Sequence, residues 1–228
     1  MTMCFNDQQA LVKPHCYLSS PVMSVPFSFK CHHIFLAQPL LQHPQSFTQG
    51  HLHLFGVPRK RLATPEIARR IGISSPEIFN AFPRRSGSQG LTVQDAIATG
   101  FDGIFTYRKP TTEQAARVAS LLEHLGPAAW SESRGPSVTA EFGRRLFADL
   151  TPGEQSLVIL LRALVTEPQL LILDEAFSGM DERMVDAVTR YLREHVGEKQ
   201  SVVWISHWEA EAPWGIQDDV LTYALPGR

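Results

Sequence analysis

Two adjacent carboxylates, Asp174 and Glu175, directly follow a short apolar run at 170–173. A run of this length, bounded by turn residues, is typical of a buried strand. At the end of such a strand one carboxylate can orient a metal ion, and its neighbour can polarise a water molecule as a general base. A small-residue turn at 178–180 then leads to a third acid, Asp181. This spacing predicts the acid cluster of a nucleotide hydrolase.

A second motif begins at Thr151, one helix length before these acids, and reads Thr-Pro-Gly-Glu-Gln. Thr151 as N-cap, Pro152 at the first helical position and Glu154 at the third predict a capping box. Helix initiation is therefore the simplest interpretation of this motif when it is considered alone.

The final third of the chain alternates helices and strands. The apolar strands are continuous, which predicts a parallel sheet covered on both faces. The predicted elements are a helix from Thr151 to about Thr166, a strand at Leu170–Leu173, a helix from Asp181 to Gly197, and strands at Val202–Ser206 and Val220–Ala224.

Upstream, the pattern differs. Alternation at 51–55 predicts a half-buried strand that ends at 56–58. A helix is predicted to begin at Thr92, with Asp95 completing its cap, and another to run from Thr111 or Thr112 to the stop at 126–127. We expect 91–150 to be a helical insertion.

Four motifs, in this order, resemble those of ABC-type ATPases. The residues 151–155 resemble the signature loop, 170–175 the Walker B strand, 178–181 the D-loop, and His207 after Trp-Ile-Ser the switch histidine. Shorter segments between Leu54 and Phe101 resemble ATPases related to molybdate import and photorepair, including fungal relatives. Those proteins usually carry two ATPase units in one polypeptide.

The resemblance implies an α/β fold, with a P-loop NTPase-like parallel sheet core and an inserted helical subdomain. ATP and Mg²⁺ are the implied cofactors. Asp174 would hold the water shell of Mg²⁺, Glu175 would act as the general base, and His207 would contact the γ-phosphate. The residues implied to contact nucleotide across a dimer interface are Thr151, Gly153, Glu154 and Asp181. A plain N-cap role explains Asp181 equally well.

The chain departs from the family pattern in three places. Pro152 stands where Gly is usual and has no N–H to offer a phosphate. Pro76 stands near the family's metal-contacting Gln, and Glu77 is a possible substitute. A phosphate loop needs Gly-Lys followed by Ser or Thr, and none of the lysines follows a glycine: Lys13, Lys30, Lys60, Lys109 and Lys199.

We therefore expect the core to be incomplete at its N-terminal part. Residues 1–40 are predicted to be irregular, and 41–228 to form the ABC ATPase-like domain. The phosphate-loop strand would be missing, which would leave strand 170–173 with an open neighbour and lower the stability of the chain.

Composition limits the remaining possibilities. The formal net charge of −2 favours neither nucleic acid nor an anionic membrane as partner, and the paired arginines, such as 84–85, are predicted to be solvated surface. No apolar run reaches the ~20 residues of a membrane span. Three cysteines suit a reducing compartment, the cytoplasm or alternatively the mitochondrion, and Cys31-His32-His33 lacks a second ligand pair at finger-like spacing.

The sequence thus predicts an ABC-type, Mg²⁺-dependent ATP-binding and ATP-hydrolysing subunit. It would act with a second ABC ATPase domain in a homo- or heterodimer, and the resemblance allows a separate membrane subunit as a further partner. The alternative is a non-catalytic interaction protein that dimerises without hydrolysing ATP. A coiled-coil DNA-repair ATPase is disfavoured because 50–150 contains no long heptad arm.

Overall fold

The computed structural model describes residues 8–13, 53–58, 61–105, 108–132, 135–197, 200–207, 211–214 and 221–225. Its strands are β1 Gln8–Lys13, β2 His53–Leu54, β3 Val57–Pro58, β4 Ile71–Ser74, β5 Leu170–Asp174, β6 Ser201–Ser206 and β7 Leu221–Leu225. Its α-helices are α1 Thr64–Arg70, α2 Pro76–Ala81, α3 Val93–Ala98, α4 Thr112–Leu125, α5 Pro127–Trp130, α6 Pro136–Arg144, α7 Pro152–Leu164 and α8 Glu182–His195. Short 3-10 turns lie at 87–89, 99–101 and 147–149.

The main sheet has the order β4-β5-β6-β1-β7. Strands β4, β5 and β6 are parallel, so the predicted α/β class with a parallel sheet is confirmed. Strand β1 runs antiparallel to both of its neighbours, β6 and β7. It lies within the segment 1–40 that we predict to be irregular, and the rest of that segment falls outside the described residues.

The predicted open position beside strand 170–173 is wrong. Ile172 of β5 pairs with Ile73 of β4 on one side and with Val203 of β6 on the other. All five residues of β5 are buried. Because β5 is an interior strand, both of its edges are paired within the chain. No exposed edge of β5 therefore lowers the stability.

Side chains that alternate along β5 enter two different cores. Leu171 and Leu173 pack in the larger cluster with the helices, whereas Leu170 and Ile172 pack in a smaller one with Ile67 of α1. The sheet is therefore covered on both faces, which explains why β5 has no polar residue before its last position.

Helix α7 packs closely against β4 at one glycine. A Cβ at Gly72 in β4 would stand 2.2 Å from the carbonyl oxygen of Ala163 in α7. No other residue fits at that position without moving the helix. The first turn of the same helix borders the acids, with Pro152 lining the cleft beside them.

The stretch 93–149 contains α3 to α6 and two 3-10 turns. The predicted capping boxes are present, with Thr92 and Asp95 before α3 and Thr111, the earlier of the two candidates, with Gln114 before α4. Helix α4 ends at Gly126 as predicted, and its four predicted apolar positions are buried: Val118, Leu121, Leu122 and Leu125.

Residues 53–58 form a hairpin. The strand predicted for 51–55 is only two residues long where it is described, and the predicted stop at 57–58 is instead the second strand, β3. Phe55 and Gly56 both have positive φ, 54° and 76°, as the tightest hairpin turns require. His51 and Val220, at the ends of predicted strands, lie outside the described residues. Within the described ranges, no helix has the length and apolar character needed to cross a membrane.

Candidate functional site

Asp174 occupies the last position of β5, at the carboxyl edge of the parallel strands. Its side chain is only 4% exposed, and Oδ1 has no hydrogen-bond partner among the described residues. Burial, reinforced by the negative charges of Glu175 and Glu77, raises the pKa of Asp174 to about 7. This carboxylate thus stands in a position that favours a nearby cation.

Glu175 leaves the strand with a backbone turn. Its φ is 47°, in the left-handed region, and its N–H donates to the carbonyl oxygen of Ile205 at 2.9 Å. Such a conformation is uncommon for a residue with a side chain and is held here by the neighbouring strand. The turn directs Glu175 away from the line of β5 and toward the residue that follows β6.

That residue is His207. The distance between His207 Nε2 and Glu175 Oε1 is 2.9 Å. The two side chains meet because β5 and β6 are parallel neighbours, with Asp174 opposite Ile205, so that both strands end at the same edge. The structure therefore brings together three of the predicted site residues.

A cleft of about 280 Å³ opens beside these acids. One wall carries Asp174 and Glu175, another carries Pro76 at the start of α2, and a third carries Pro152 and Gly179. Glu77 follows Pro76 in the first turn of α2, near enough for its charge to raise the pKa of Asp174. Among the described residues, no lysine or arginine lines this cleft.

The first turn of α7 is closed by reciprocal hydrogen bonds. Thr151 Oγ1 accepts from the Glu154 N–H at 3.3 Å, and Glu154 Oε2 accepts from the Thr151 N–H at 2.8 Å. Glu154 Oε1 also accepts a hydrogen bond from Arg145 Nη1 at 2.7 Å. The helix-initiation interpretation is confirmed, and the carboxylate of Glu154 is occupied by contacts within the chain.

Gly153 packs directly on the turn that follows the acids. A Cβ at Gly153 would lie 2.3 Å from the carbonyl oxygen of Gly179, which itself has φ 76°. Two residues later Asp181 caps α8, with its Oδ1 accepting from the Met184 N–H at 2.8 Å. The N-cap interpretation of Asp181 is confirmed, and the motifs at 151–155 and 178–181 form one packed unit.

Sequence reasoning missed the pair Arg84 and Gln155. Gln155 is 7% exposed and donates through Nε2 to the carbonyl oxygens of Phe147 and Leu150. Its Oε1 accepts from Arg84 Nε at 3.1 Å, and Arg84 Nη2 donates to Phe79 O at 2.9 Å. Arg84, predicted as solvated surface, thus ties α2 to the first turn of α7. An amide on the buried face of an apolar helix is the signal that could have revealed it.

The site suits a hard cation better than it suits phosphate groups. Mg²⁺ prefers carboxylate and water oxygens and needs few protein ligands. The buried, unpartnered Oδ1 of Asp174 fits that preference. In the described part of the chain no group of three or more His, Cys, Asp or Glu is arranged to enclose a metal ion, so water or substrate oxygens would complete the coordination.

Comparisons with known proteins agree on one family. A family model described as ABC transporter matches residues 36–178. An uncharacterized ABC transporter ATP-binding protein of Schizosaccharomyces pombe is 30% identical over 65% of this chain and 27% of its own length. One from Saccharomyces cerevisiae is 30% identical over 69% of this chain and 28% of its own length.

The sulfate/thiosulfate import ATP-binding protein CysA of Escherichia coli K12 is 29% identical over 72% of this chain and 40% of its own length. The chain thus spans well under half the length of these three relatives. A solved dimeric ATP-binding cassette bound to ADP and Pi has 20% identity and a TM-score of 0.47, covering 68% of this chain and 61% of that one.

Proposed function

Since the chain belongs to the ABC transporter family, we propose that it is a Mg²⁺-dependent ATP-binding and ATP-hydrolysing subunit that works with a second ABC ATPase domain. The observation that carries this proposal is the contact between Glu175 and His207 beside the buried carboxylate of Asp174. The base Glu175, the residue His207 that orients it and the acid Asp174 that would bind a cation meet at one edge of the sheet.

Glu175 is the general base. Its side chain is 30% exposed, so that one oxygen can contact a water molecule while Oε1 accepts from His207 Nε2. The bond from His207 fixes the rotamer of the carboxylate. Glu175 would take a proton from the attacking water at its other oxygen.

Asp174 would hold Mg²⁺, which supplies positive charge against the phosphates when nucleotide is bound. Glu77 in α2 lies next to the position at which the family has a metal-contacting Gln. Its negative charge would add to that of Asp174 at the Mg²⁺ site. Charge repulsion among the three acids in the free chain is relieved by a bound cation, which favours metal binding.

The first turn of α7 would contact the phosphates of nucleotide held by the partner. The hydroxyl of Thr151 accepts the Glu154 N–H, which leaves its own proton as a donor for a phosphate oxygen. Gly153 offers backbone at a helix N-terminus, a region that favours anions. Glu154 would act indirectly by holding Thr151, and Asp181 by shaping the turn against Gly153.

The phosphate loop would come from the partner. This chain has no Gly-Lys pair, and the cleft has no cationic wall among the described residues. Because a second copy of this chain would also lack that pair, the proposed assembly is a heterodimer with another ABC ATPase domain, with a separate membrane subunit in a transport complex.

The ATPase rates of the wild-type chain and of Glu175→Gln, each paired with an ABC ATPase domain that carries a phosphate loop, test the proposal. We expect loss of the base to lower kcat by about 10²- to 10⁴-fold. Glu182→Gln is the matched control, since Glu182 is an exposed acid in the first turn of α8. Equal rates for wild type and Glu175→Gln would refute the assigned base.

The absence of a Gly-Lys pair favours one second candidate, a non-catalytic interaction protein that dimerises through the same motifs. Equilibrium binding of labelled ATP with Mg²⁺, together with sedimentation of the chain, separates the two. Dimerisation without measurable nucleotide binding would support the interaction protein, and saturable Mg²⁺-dependent binding would support the ATPase.

A further inference from the structure

The C-terminal ends of α4 and α8 bring together two histidines that the proposed hydrolytic site does not use. His124 lies in the last turn of α4 and His195 is the last residue of α8. Their ring centroids are 5.1 Å apart, with an angle of 72° between the ring planes. Both residues are exposed, so a solute can reach them.

Each imidazole is fixed in one tautomer by the backbone of its own helix. His124 Nδ1 lies 2.7 Å from the carbonyl oxygen of Ser120, and His195 Nδ1 lies 3.2 Å from that of Tyr191. A carbonyl oxygen only accepts, so each Nδ1 carries the proton. In the neutral rings both Nε2 atoms therefore have an unshared electron pair.

Neighbouring aromatic packing orients the rings. Tyr191 stacks on His195 with centroids 4.3 Å apart and planes within 8°, and its ring centroid is 5.8 Å from that of His124. Tyr191 is buried, which raises the pKa of its phenol, and its phenolic oxygen accepts a side-chain hydrogen bond from Arg117. A buried aromatic ring thus supports both imidazoles from below.

We propose that His124 and His195 form a site for a borderline transition-metal cation such as Zn²⁺, bound through the two Nε2 atoms, with water completing the coordination. In a histidine that binds a metal, the ring N–H that does not face the ion usually donates to a carboxylate, a backbone carbonyl or water. Imidazole nitrogens bind Zn²⁺ at ~2.0–2.1 Å, which puts each ring centroid roughly 3.2 Å from the ion. At the tetrahedral angle the two centroids are then about 5.2 Å apart, close to the 5.1 Å observed.

The ion would join the helical stretch 93–149 to the helix that follows the acid-bearing turn. Helix α4 belongs to the former, and α8 begins at the N-cap Asp181. Occupancy would therefore hold the far end of α8 against α4. This role is independent of the proposed ATPase activity.

Residue-specific labelling tests the site, because six of the nine histidines lie at 15–53 and would obscure a simple binding measurement. Diethylpyrocarbonate modifies the unshared pair of imidazole, and peptide mass spectrometry reports each histidine separately. At Zn²⁺ ten times the dissociation constant, labelling of His124 and His195 should slow about tenfold. Mg²⁺, which prefers oxygen ligands, should leave both rates unchanged.

The variants His124→Gln and His195→Gln complete the test. Each should restore the labelling rate of the remaining histidine in the presence of Zn²⁺, and circular dichroism should show an unchanged fold, since both side chains are exposed. Labelling rates unaffected by Zn²⁺ in the wild-type chain would overturn the proposal. Continued protection of the remaining histidine in either variant would also overturn it, because the ion would then not be shared.

Discussion

His207 Nε2 lies 2.9 Å from Glu175 Oε1, although the two residues follow different strands and are separated by the whole of α8. The contact depends on the parallel pairing of β5 with β6 and on the positive φ of Glu175. The side chain of His207 is 45% exposed and that of Glu175 is 30% exposed, so this pair is accessible to solvent rather than part of the core. It can therefore be altered without unfolding the chain.

Replacing His207 should lower activity with little effect on stability. His207→Ala removes a hydrogen bond to a charged group, and a loss of about 10- to 100-fold in ATPase kcat is expected. His207→Gln keeps an N–H donor and should recover part of the rate. The free energy of unfolding should change by no more than about 0.5 kcal/mol, as for other exposed positions. An unchanged kcat for His207→Ala would show that the contact does not position Glu175.

Stability should depend on the ionisation of Asp174. The pKa of this carboxyl rises from its ordinary 3.8 to about 7 in the folded chain. Between these values the folded state binds more protons than the unfolded state, so the free energy of unfolding falls as pH rises from about 4 to 7. Asp174→Asn should remove this slope and stabilise the chain at pH 8 by about 2–4 kcal/mol. Urea unfolding at several pH values measures both quantities, and identical pH profiles would contradict the assignment.

Mg²⁺ should offset the loss of stability that ionisation of Asp174 causes. Because a metal ion binds the deprotonated carboxylate, Mg²⁺ is expected to raise the unfolding midpoint at pH 8 more than at pH 5. Asp174→Asn serves as the control and should not respond at either pH. Differential scanning fluorimetry with and without Mg²⁺ checks this, and an equal response of both proteins would place the ion elsewhere.

Gly153→Ala should destabilise the chain through the turn at Gly179. The new Cβ would meet the Gly179 carbonyl oxygen at 2.3 Å, and backbone must shift to relieve the clash, at a cost of about 1–3 kcal/mol. Gly197→Ala is the matched control, because no heavy atom lies within 4 Å of the Cβ built at that position. Chemical denaturation compares the two variants, and equal effects would show that the turn yields easily.

The contact between Arg84 and Gln155 should be measurable as a coupling energy. Gln155→Ala leaves the carbonyl oxygens of Phe147 and Leu150 without their donor and should cost about 1–3 kcal/mol. A double-mutant cycle with Arg84→Ala should give at least about 0.5 kcal/mol of coupling. Arg85→Ala, an exposed neighbour, should be close to neutral. Strict additivity would mean that the two side chains act independently.

The sequence predicts local signals well in this protein. The caps at Thr92, Thr111, Thr151 and Asp181 depend on one side chain and the next turn of backbone, so a short segment contains the whole cause. The apolar run of β5 likewise identifies a buried strand. These elements were sufficient to place the acids at the end of a strand.

The pairing of distant strands could not be predicted from the sequence in the same way. Nothing in residues 8–13 indicates that they pair with β6, nor does β5 reveal which strands flank it, because register and partner depend on the whole sheet. The contact between Gly153 and Gly179 and the bond between Arg84 and Gln155 join separate segments for the same reason. Local patterns identify what a residue can do, and the tertiary fold decides which residues it meets.

Strand β1 carries a consequence for the order of assembly. Gln9 pairs with Ser206, immediately before His207, so β6 is completed by a strand that lies far away in the sequence. A ribosome must synthesise the whole stretch from β1 to β6 before this pairing can form, and closing so long a loop is slow. The pairing of β6 with β1 should thus form late, and newly made chains should pass through a stage in which β5 is already paired with β4 while β6 still lacks its outer neighbour.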